Sequence, residues 1–163
     1  MTASIARERD RLHTSRMDDL RYLREALAEA RLGLAEGGIP IGSVLVLDGE
    51  VIGRGHNRRV QRGSPILHAE MDALENAGRL KAKEYARCTL YSTLSPCDMC
   101  SGASLLYKIP RIVVGENRTF QGPEAMVRSR GVELVIAQDP ECIALMEEFI
   151  RARPELWNED IGE

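Results

Sequence analysis

The stretch CTLYSTLSPCDMCSGASLLY, residues 88–107, decides how this chain folds. Its first part, Cys88 to Ser92, has the residue types of a strand. Pro96 then opens a helix over Cys97 to Tyr107, because proline suits a first turn, where no N–H partner is needed. A strand therefore runs almost directly into a helix, and two cysteines sit at the junction.

The same alternation continues on both sides. Downstream, Arg111 to Gly115 reads as a strand, Glu124 to Ser129 as a short helix, Val132 to Ile136 as a strand and Pro140 to Ala152 as a last helix. Upstream, a helix starts at about Leu67, carries His68, Glu70, Met71, Leu74 and Ala77, and stops at Gly78. Asn57 to Pro65 is a polar loop. Before it, Ser43–Leu47 and Glu50–Gly55 flank Asp48-Gly49, a hairpin signal because both turn positions tolerate positive φ. A helix over about Asp18 to Glu36 presents Leu20, Leu23, Leu27, Ala30 and Leu34 as one stripe. Gly37-Gly38 ends it and Pro40 prevents a restart. Residues 1–16 read as a flexible arm and 17–163 as a single domain. Strands alternating with helices imply an α/β fold, a central sheet with helices on both faces.

Bulk properties narrow the function. A length of 163 residues fits one domain, and 44% apolar residues supply a core. Aromatics make up 4%, so Ala, Leu, Val and Ile must build most of that core. The net charge of −3 shows no basic excess, which argues against a nucleic-acid partner unless charge is segregated on one face. The N-terminal stretch is polar, and no run approaches the roughly 18 apolar residues of a membrane span. The expectation is a cytoplasmic protein, with no membrane partner, whose four cysteines are reduced. Cys88 and Cys142 lie on apolar stretches and read as core.

Chemistry gathers at His68-Ala69-Glu70 and Pro96-Cys97-Asp98-Met99-Cys100. Two cysteines three positions apart at a helix start can face one ion, and the helix N-terminus favours their thiolates. His68 gives a third ligand. Three protein ligands leave one tetrahedral position open, the pattern of a catalytic zinc, which makes hydroxide available near neutral pH. Glu70 lies two residues past His68, about 200° away on a helix, so it is no fourth ligand on the same face. Near the helix start it can reach past the metal and carry protons. A CxxC pair alone could instead be redox-active or half of a structural zinc knuckle. No second CxxC completes a four-cysteine site, and Pro96 stands before the pair rather than within it. His13 and His56 read as a solvated arm residue and as loop packing.

H-x-E followed by P-C-x-x-C is the signature of zinc nucleobase deaminases, with the glutamate as general acid and base. The chain resembles the cytidine deaminase-like superfamily and, more narrowly, the yeast-type cytosine deaminases. The resemblance runs from about Met17 to Glu163 and is carried by GRGHN (53–57), TLSPCDMC (93–100), IPRIVVGEN (109–117) and the terminal EDIGE. It implies a three-layer α/β/α fold around a five-stranded mixed sheet, a homodimer, one zinc ion per chain, and hydrolysis of free cytosine to uracil and ammonia, with water as co-substrate. By position it implies that Glu70 is the proton shuttle and that the Cys97 N–H steadies the reacting oxygen. Asn57 reads the pyrimidine edge, the Ser95 carbonyl and Asp160 accept from the amino group, and Phe120 and Trp157 close over the base. Residues 154–163, with the chain's sole tryptophan, then form a lid; the bare reading of that tail is a terminal cap with Trp157 packed on the core.

Besides the extra arm over residues 1–16, two features depart from the yeast-type pattern. Ala69 replaces the glycine of HGE, and the stretch around Phe120 differs. Both touch the pocket, so other substrates stay open: another small amino-heterocycle such as aza-cytosine, a triazine or guanine, or adenosine in tRNA. A non-catalytic zinc-stabilised binding module is the rival of another class.

Overall fold

A computed structural model describes residues 2–163, with side chains described from residue 15 onward. Five strands, β1 (Gly42–Leu47), β2 (Glu50–His56), β3 (Cys88–Leu94), β4 (Arg111–Glu116) and β5 (Glu133–Ile136), form one sheet in the order β2-β1-β3-β4-β5. β1 pairs antiparallel with β2 and β3, while β3–β4 and β4–β5 are parallel. The sheet is therefore mixed. The turn between β1 and β2 is the expected two-residue one, with Asp48 at φ 50° and Gly49 at φ 86°.

Period-two alternation sorts the strand side chains into two faces. Val44, Val46, Tyr91 and Val113 point to one face, where they meet Tyr22 and Leu23 of α1 (Thr2–Ala35). Leu45, Leu90, Ile112, Val114 and Leu134 point to the other. That second face is covered by α3 (Ala69–Ala77), α5 (Asp98–Leu106) and α6 (Glu124–Ser129), through Leu74, Leu105 and Val127. The short α2 (Arg59–Arg62) and α4 (Ala82–Tyr85) lie in connections, and α7 (Pro140–Ala152) and α8 (Pro154–Asp160) end the chain. β3 and β4 are buried nearly throughout, as parallel strands covered on both faces must be.

One contact fixes where α3 begins. A Cβ on Gly55 of β2 would lie 2.3 Å from the Ala73 backbone nitrogen and 2.8 Å from the Ala69 carbonyl oxygen. Only glycine lets this helix rest directly on the strand, which sets the height of its N-terminus above the sheet.

The structure corrects several local expectations. The buried side of α1 is Tyr22, Leu23, Ala26, Leu27 and Ala30, whereas Leu20 and Leu34 are 37% and 40% exposed. The apolar stripe is thus rotated toward Tyr22 and Ala26. The helical hydrogen bonding of α1 extends to Thr2, and the arm expected over residues 1–16 falls largely outside the residues whose side chains are described. Loop 57–65 contains a turn of helix, α2. Pro96 precedes the N-cap, which is Cys97, instead of occupying the first turn. Cys88 and Cys142 are buried, and all four thiols are free.

Asp139 caps α7 by accepting from the Glu141 and Cys142 N–H groups, each at 3.1 Å, and pairs with Arg24 at 2.9 Å. Burial pulls its pKa up, but the Arg24 and Cys142 contacts outweigh this and hold it below the ordinary value. A depressed carboxylate pKa contributes stability above the unfolded value, and that stability is lost as pH falls through the folded one. Asp139→Ala should therefore lower stability by about 1–2 kcal/mol at neutral pH, measured as a shift in the urea midpoint. The gap from wild type should shrink below about pH 4.

Candidate active site

The N-termini of α3 and α5 meet beneath the carboxyl end of β3. His68 is the N-cap of α3, with φ −66° and ψ 162°, and Cys97 is the N-cap of α5, with φ −68° and ψ 178°. Serine, threonine or aspartate usually hold such positions and spend their side chains on the helix. Neither His68 nor Cys97 makes a side-chain cap bond, so both ligand atoms are free to face each other. Cys100 comes from the first turn of α5 and is fully buried.

The ligand atoms of His68, Cys97 and Cys100 all lie within 4.8 Å of one another. His68 Nδ1 stands 3.4 Å from Cys97 Sγ. Tetrahedral zinc with ordinary Zn–N and Zn–S bonds would separate such a pair by about 3.5 Å. The donors therefore fit one zinc ion. The other imidazole nitrogen, Nε2, faces Asp160 at 3.6 Å, a second contact that orients the ring.

Charge in this cluster is arranged for metal. A hydrogen bond with Cys100, joined by one with His68, pulls the Cys97 thiol down to about 4. The same contact with Cys97, together with burial, pushes Cys100 up. Metal ligation requires both thiols as thiolates, so binding a dication releases protons from this pair.

Glu70 is not among the ligands. It sits in the first turn of α3, 4% exposed, and its Oε1 accepts from Ser92 Oγ at 3.0 Å. Burial drives its pKa up. The helical-wheel argument about His68 and Glu70 does not apply, because His68 is extended backbone outside the helix. What separates the two is the bend at the cap, and it leaves the carboxylate beside the metal group.

A pocket opens over this cluster. Ile41, Leu94, Phe120, Trp157 and Ile161 supply apolar walls, and Glu70, Ser95 and Asp160 supply polar atoms. It is closed down to about 20 Å³, the scale of a single water. Phe120 and Trp157 meet edge to face with ring centroids 6.0 Å apart. Trp157 also packs with Ile39, Met146 and Phe149, so the tail is both a cover for the pocket and part of a core cluster.

Seven of the nine expected residues line the pocket: His68, Glu70, Ser95, Cys97, Phe120, Trp157 and Asp160. Cys100 lies buried among the ligands. Asn57 stands one layer back, its Nδ2 donating at 3.1 Å to both oxygens of Asp160. Ser95 is held by residues that sequence reasoning missed. Its hydroxyl donates to Glu124 at 2.8 Å and accepts from the Gly122 N–H at 3.0 Å. A Cβ on Gly122 would fall 1.8 Å from the Pro96 carbonyl oxygen, so the loop bearing Phe120 is pressed onto the turn before Cys97. Ser92, Glu124 and Arg59 were also missed; each is an ordinary polar residue whose partner is distant in sequence.

Comparison with known proteins places this geometry. A family model for the cytidine and deoxycytidylate deaminase zinc-binding region matches residues 16–116. The chain is 55% identical over 147 residues to a cytosine deaminase of Candida albicans, covering 90% of this chain and 98% of that one. It is 43% identical over 107 residues to a tRNA-specific adenosine deaminase of Streptococcus pyogenes, covering 64% of this chain and 67% of that one. A solved structure from work on A-to-I editing by tRNA:A34 deaminases matches with a TM-score of 0.66 at 29% identity, over 77% of this chain and 99% of that chain. A guanine deaminase from Nitrosomonas europaea shares the fold, with a TM-score of 0.65 at 24% identity, over 78% and 82% of the two chains.

Proposed function

The chain belongs to the cytidine and deoxycytidylate deaminase family, and from that membership we propose that it hydrolyses free cytosine to uracil and ammonia. The observation that carries this reading is Asp160. A carboxylate from the C-terminal helix reaches into the pocket, bonded to Asn57 and facing His68, under a cover made by Phe120 and Trp157. That arrangement suits a small ring with an exocyclic amine. The near full-length identity to a cytosine deaminase supports the same choice, because the similarity to the tRNA enzyme spans 107 residues against 147.

Zinc held by His68, Cys97 and Cys100 would supply Lewis-acid polarisation of water near neutral pH. Glu70 takes one proton from the attacking water and gives it to the ring nitrogen, then carries the second, from the oxygen newly bonded to C4, to the amine; the C4–N bond breaks and ammonia leaves. The N–H of Cys97 steadies the reacting oxygen, and the Ser95 carbonyl and Asp160 accept from the amino group. Phe120 and Trp157 close over the base and exclude bulk water. Asn57 reads the pyrimidine edge with one hydrogen of Nδ2 while the other stays on Asp160. Because the closed pocket has room for little more than a water, α8 moves for the base to enter.

Beyond chemistry, the reading is of a cytoplasmic homodimer that does not act on nucleic acid. The net charge of −3 supports the last point. No described helix is long and apolar enough to cross a membrane. Leu106, 71% exposed, and Tyr107, 42% exposed, end α5 beside an apolar groove that also includes Met71 and Leu74. A second copy is the occupant this reading assigns to it.

Asp160→Ala tests the substrate contact. It should lower kcat/KM for cytosine on the order of 10²-fold with zinc retained at one ion per chain. Steady-state ammonia release and metal analysis measure both, and an unchanged kcat/KM would remove Asp160 from the site. Deleting the tail after Arg153 is a less clean variant than Asp160→Ala, because Trp157 packs in the core and its loss destabilises the fold as well.

A further inference from the structure

We propose that Arg59 is a positioning residue that latches α8 over the pocket and fixes the Asp160 carboxylate toward the base. The inference rests on the reading of Asp160 given above.

Arg59 opens α2 and is separated by a hundred residues from the helix it holds. Its side chain is 13% exposed, unusual for an arginine on a short loop helix. Nη1 donates to Asp160 Oδ1 at 2.9 Å and to Glu159 Oε2 at 2.9 Å. Nη2 donates to Glu159 Oε1 at 2.6 Å, and Nε donates to the Pro65 carbonyl at 3.2 Å. One guanidinium thus ties α8 to the loop between β2 and α3. Its fork engages two consecutive carboxylates, a geometry open to arginine and not to lysine.

The two carboxylates differ in what they contribute. The Glu159 side chain is 59% exposed, and an ion pair in water contributes little. The Asp160 side chain is 2% exposed, and a buried carboxylate requires a compensating charge. Among the described residues Asp160 meets Arg59, the Asn57 amide and, at 3.6 Å, the imidazole of His68.

Arg59 also acts on Asp160 by a second route. Its backbone N–H donates to Asn57 Oδ1 at 3.1 Å. That bond fixes which end of the Asn57 amide faces outward, so Nδ2 is the end presented to both oxygens of Asp160. Guanidinium and amide together hold the carboxylate from two sides. A displacement of an ångström would cost the contact with a reacting amine.

The sole tryptophan, Trp157, lies on the latched helix and is 5% exposed. Acrylamide quenching of its fluorescence therefore reads the docking of α8 with no substrate present. In the full-length zinc-loaded protein, Arg59→Ala should keep one zinc per chain and raise the quenching constant several-fold. It should lower kcat/KM for cytosine on the order of 10²-fold. Arg59→Lys should restore most of the protection of Trp157 but only part of the rate, since it keeps the charge and loses the fork. In an Asp160→Ala background, Arg59→Ala should add little, because the partner through which it acts is gone. Arg59→Gln carries the same expectations if the alanine variant folds poorly. Wild-type quenching in Arg59→Ala, or losses that multiply in the double variant, would overturn the proposal. Should wild-type protein release no ammonia from cytosine, the substrate reading falls, and the quenching comparison still decides the latch.

Discussion

Glu70→Ala should lower cytosine turnover on the order of 10²–10⁴-fold, the range ascribed to general acid–base catalysis, while one zinc ion stays bound per chain. The carboxylate lies in the first turn of α3, beside the ligand group and outside it. Removing it takes away no donor. It is buried, and its Oε1 accepts from Ser92 Oγ. Burial raises its pKa from the ordinary carboxylate value. That direction suits a group that must both accept and return a proton near neutral pH. Glu70→Gln separates shape from proton transfer: it preserves volume and an acceptor for Ser92, and should be as inactive as the alanine variant. Rates from ammonia release, with metal content on the same samples, test this. Full activity in either variant would remove Glu70 from the reaction.

Cys100→Ala should abolish activity by the other route, loss of the ion. Cys100 is fully buried at the start of α5, and its sulfur lies within 4.8 Å of the His68 and Cys97 ligand atoms. Two ligands remain, too few for a tetrahedral site that must also leave a position for reaction. The ion joins the N-termini of α3 and α5, so binding and folding are linked. With zinc at about a hundredfold over its Kd, linkage contributes about 2.7 kcal/mol. A chain of this size should then lose roughly 5–10 °C in Tm when the site is destroyed. Cys142→Ala is the control: its sulfur is also buried but lies against Gly115, away from the ligand group. Zinc near one per chain with an unchanged Tm in Cys100→Ala would contradict the three-ligand site.

The features legible in the sequence are those encoded by local chemistry. Asp48-Gly49 marked the hairpin because its two φ values are positive, and the structure has them so. The Thr, Leu and Tyr of β3 and the Ile-Val-Val run of β4 marked strands, and alternation with helices marked the layers. HxE and PCxxC marked the ligand group because helix starts and residue types suffice to define it. What escaped depends on tertiary neighbours. The face of α1 was misjudged because Leu20 and Tyr22 are both plausible core residues, and the sheet decides between them. The helices α2 and α4 have four residues each, too few for periodicity to register. Arg59 reads as one more charge in a polar loop until Glu159 and Asp160 arrive from the far end of the chain. Glu124 reads as a helix-start acid until Ser95 meets it. His68 and Cys97 read as helical in the sequence, whereas both are N-caps with extended backbone, and for His68 this changes the geometry toward Glu70.

The account turns on a free base deaminated beneath a closed tail. The direct measurement is ammonia release by the zinc-loaded, full-length protein, with cytosine and cytidine compared at equal concentration. The expected result is uracil and ammonia in equal amounts from cytosine, and a kcat/KM for cytidine lower on the order of 10²-fold or more, since the pocket beneath Phe120 and Trp157 is closed down to about 20 Å³ and a nucleoside is the larger ligand. A zinc-replete protein that releases no ammonia from cytosine, or that accepts cytidine equally well, would contradict it.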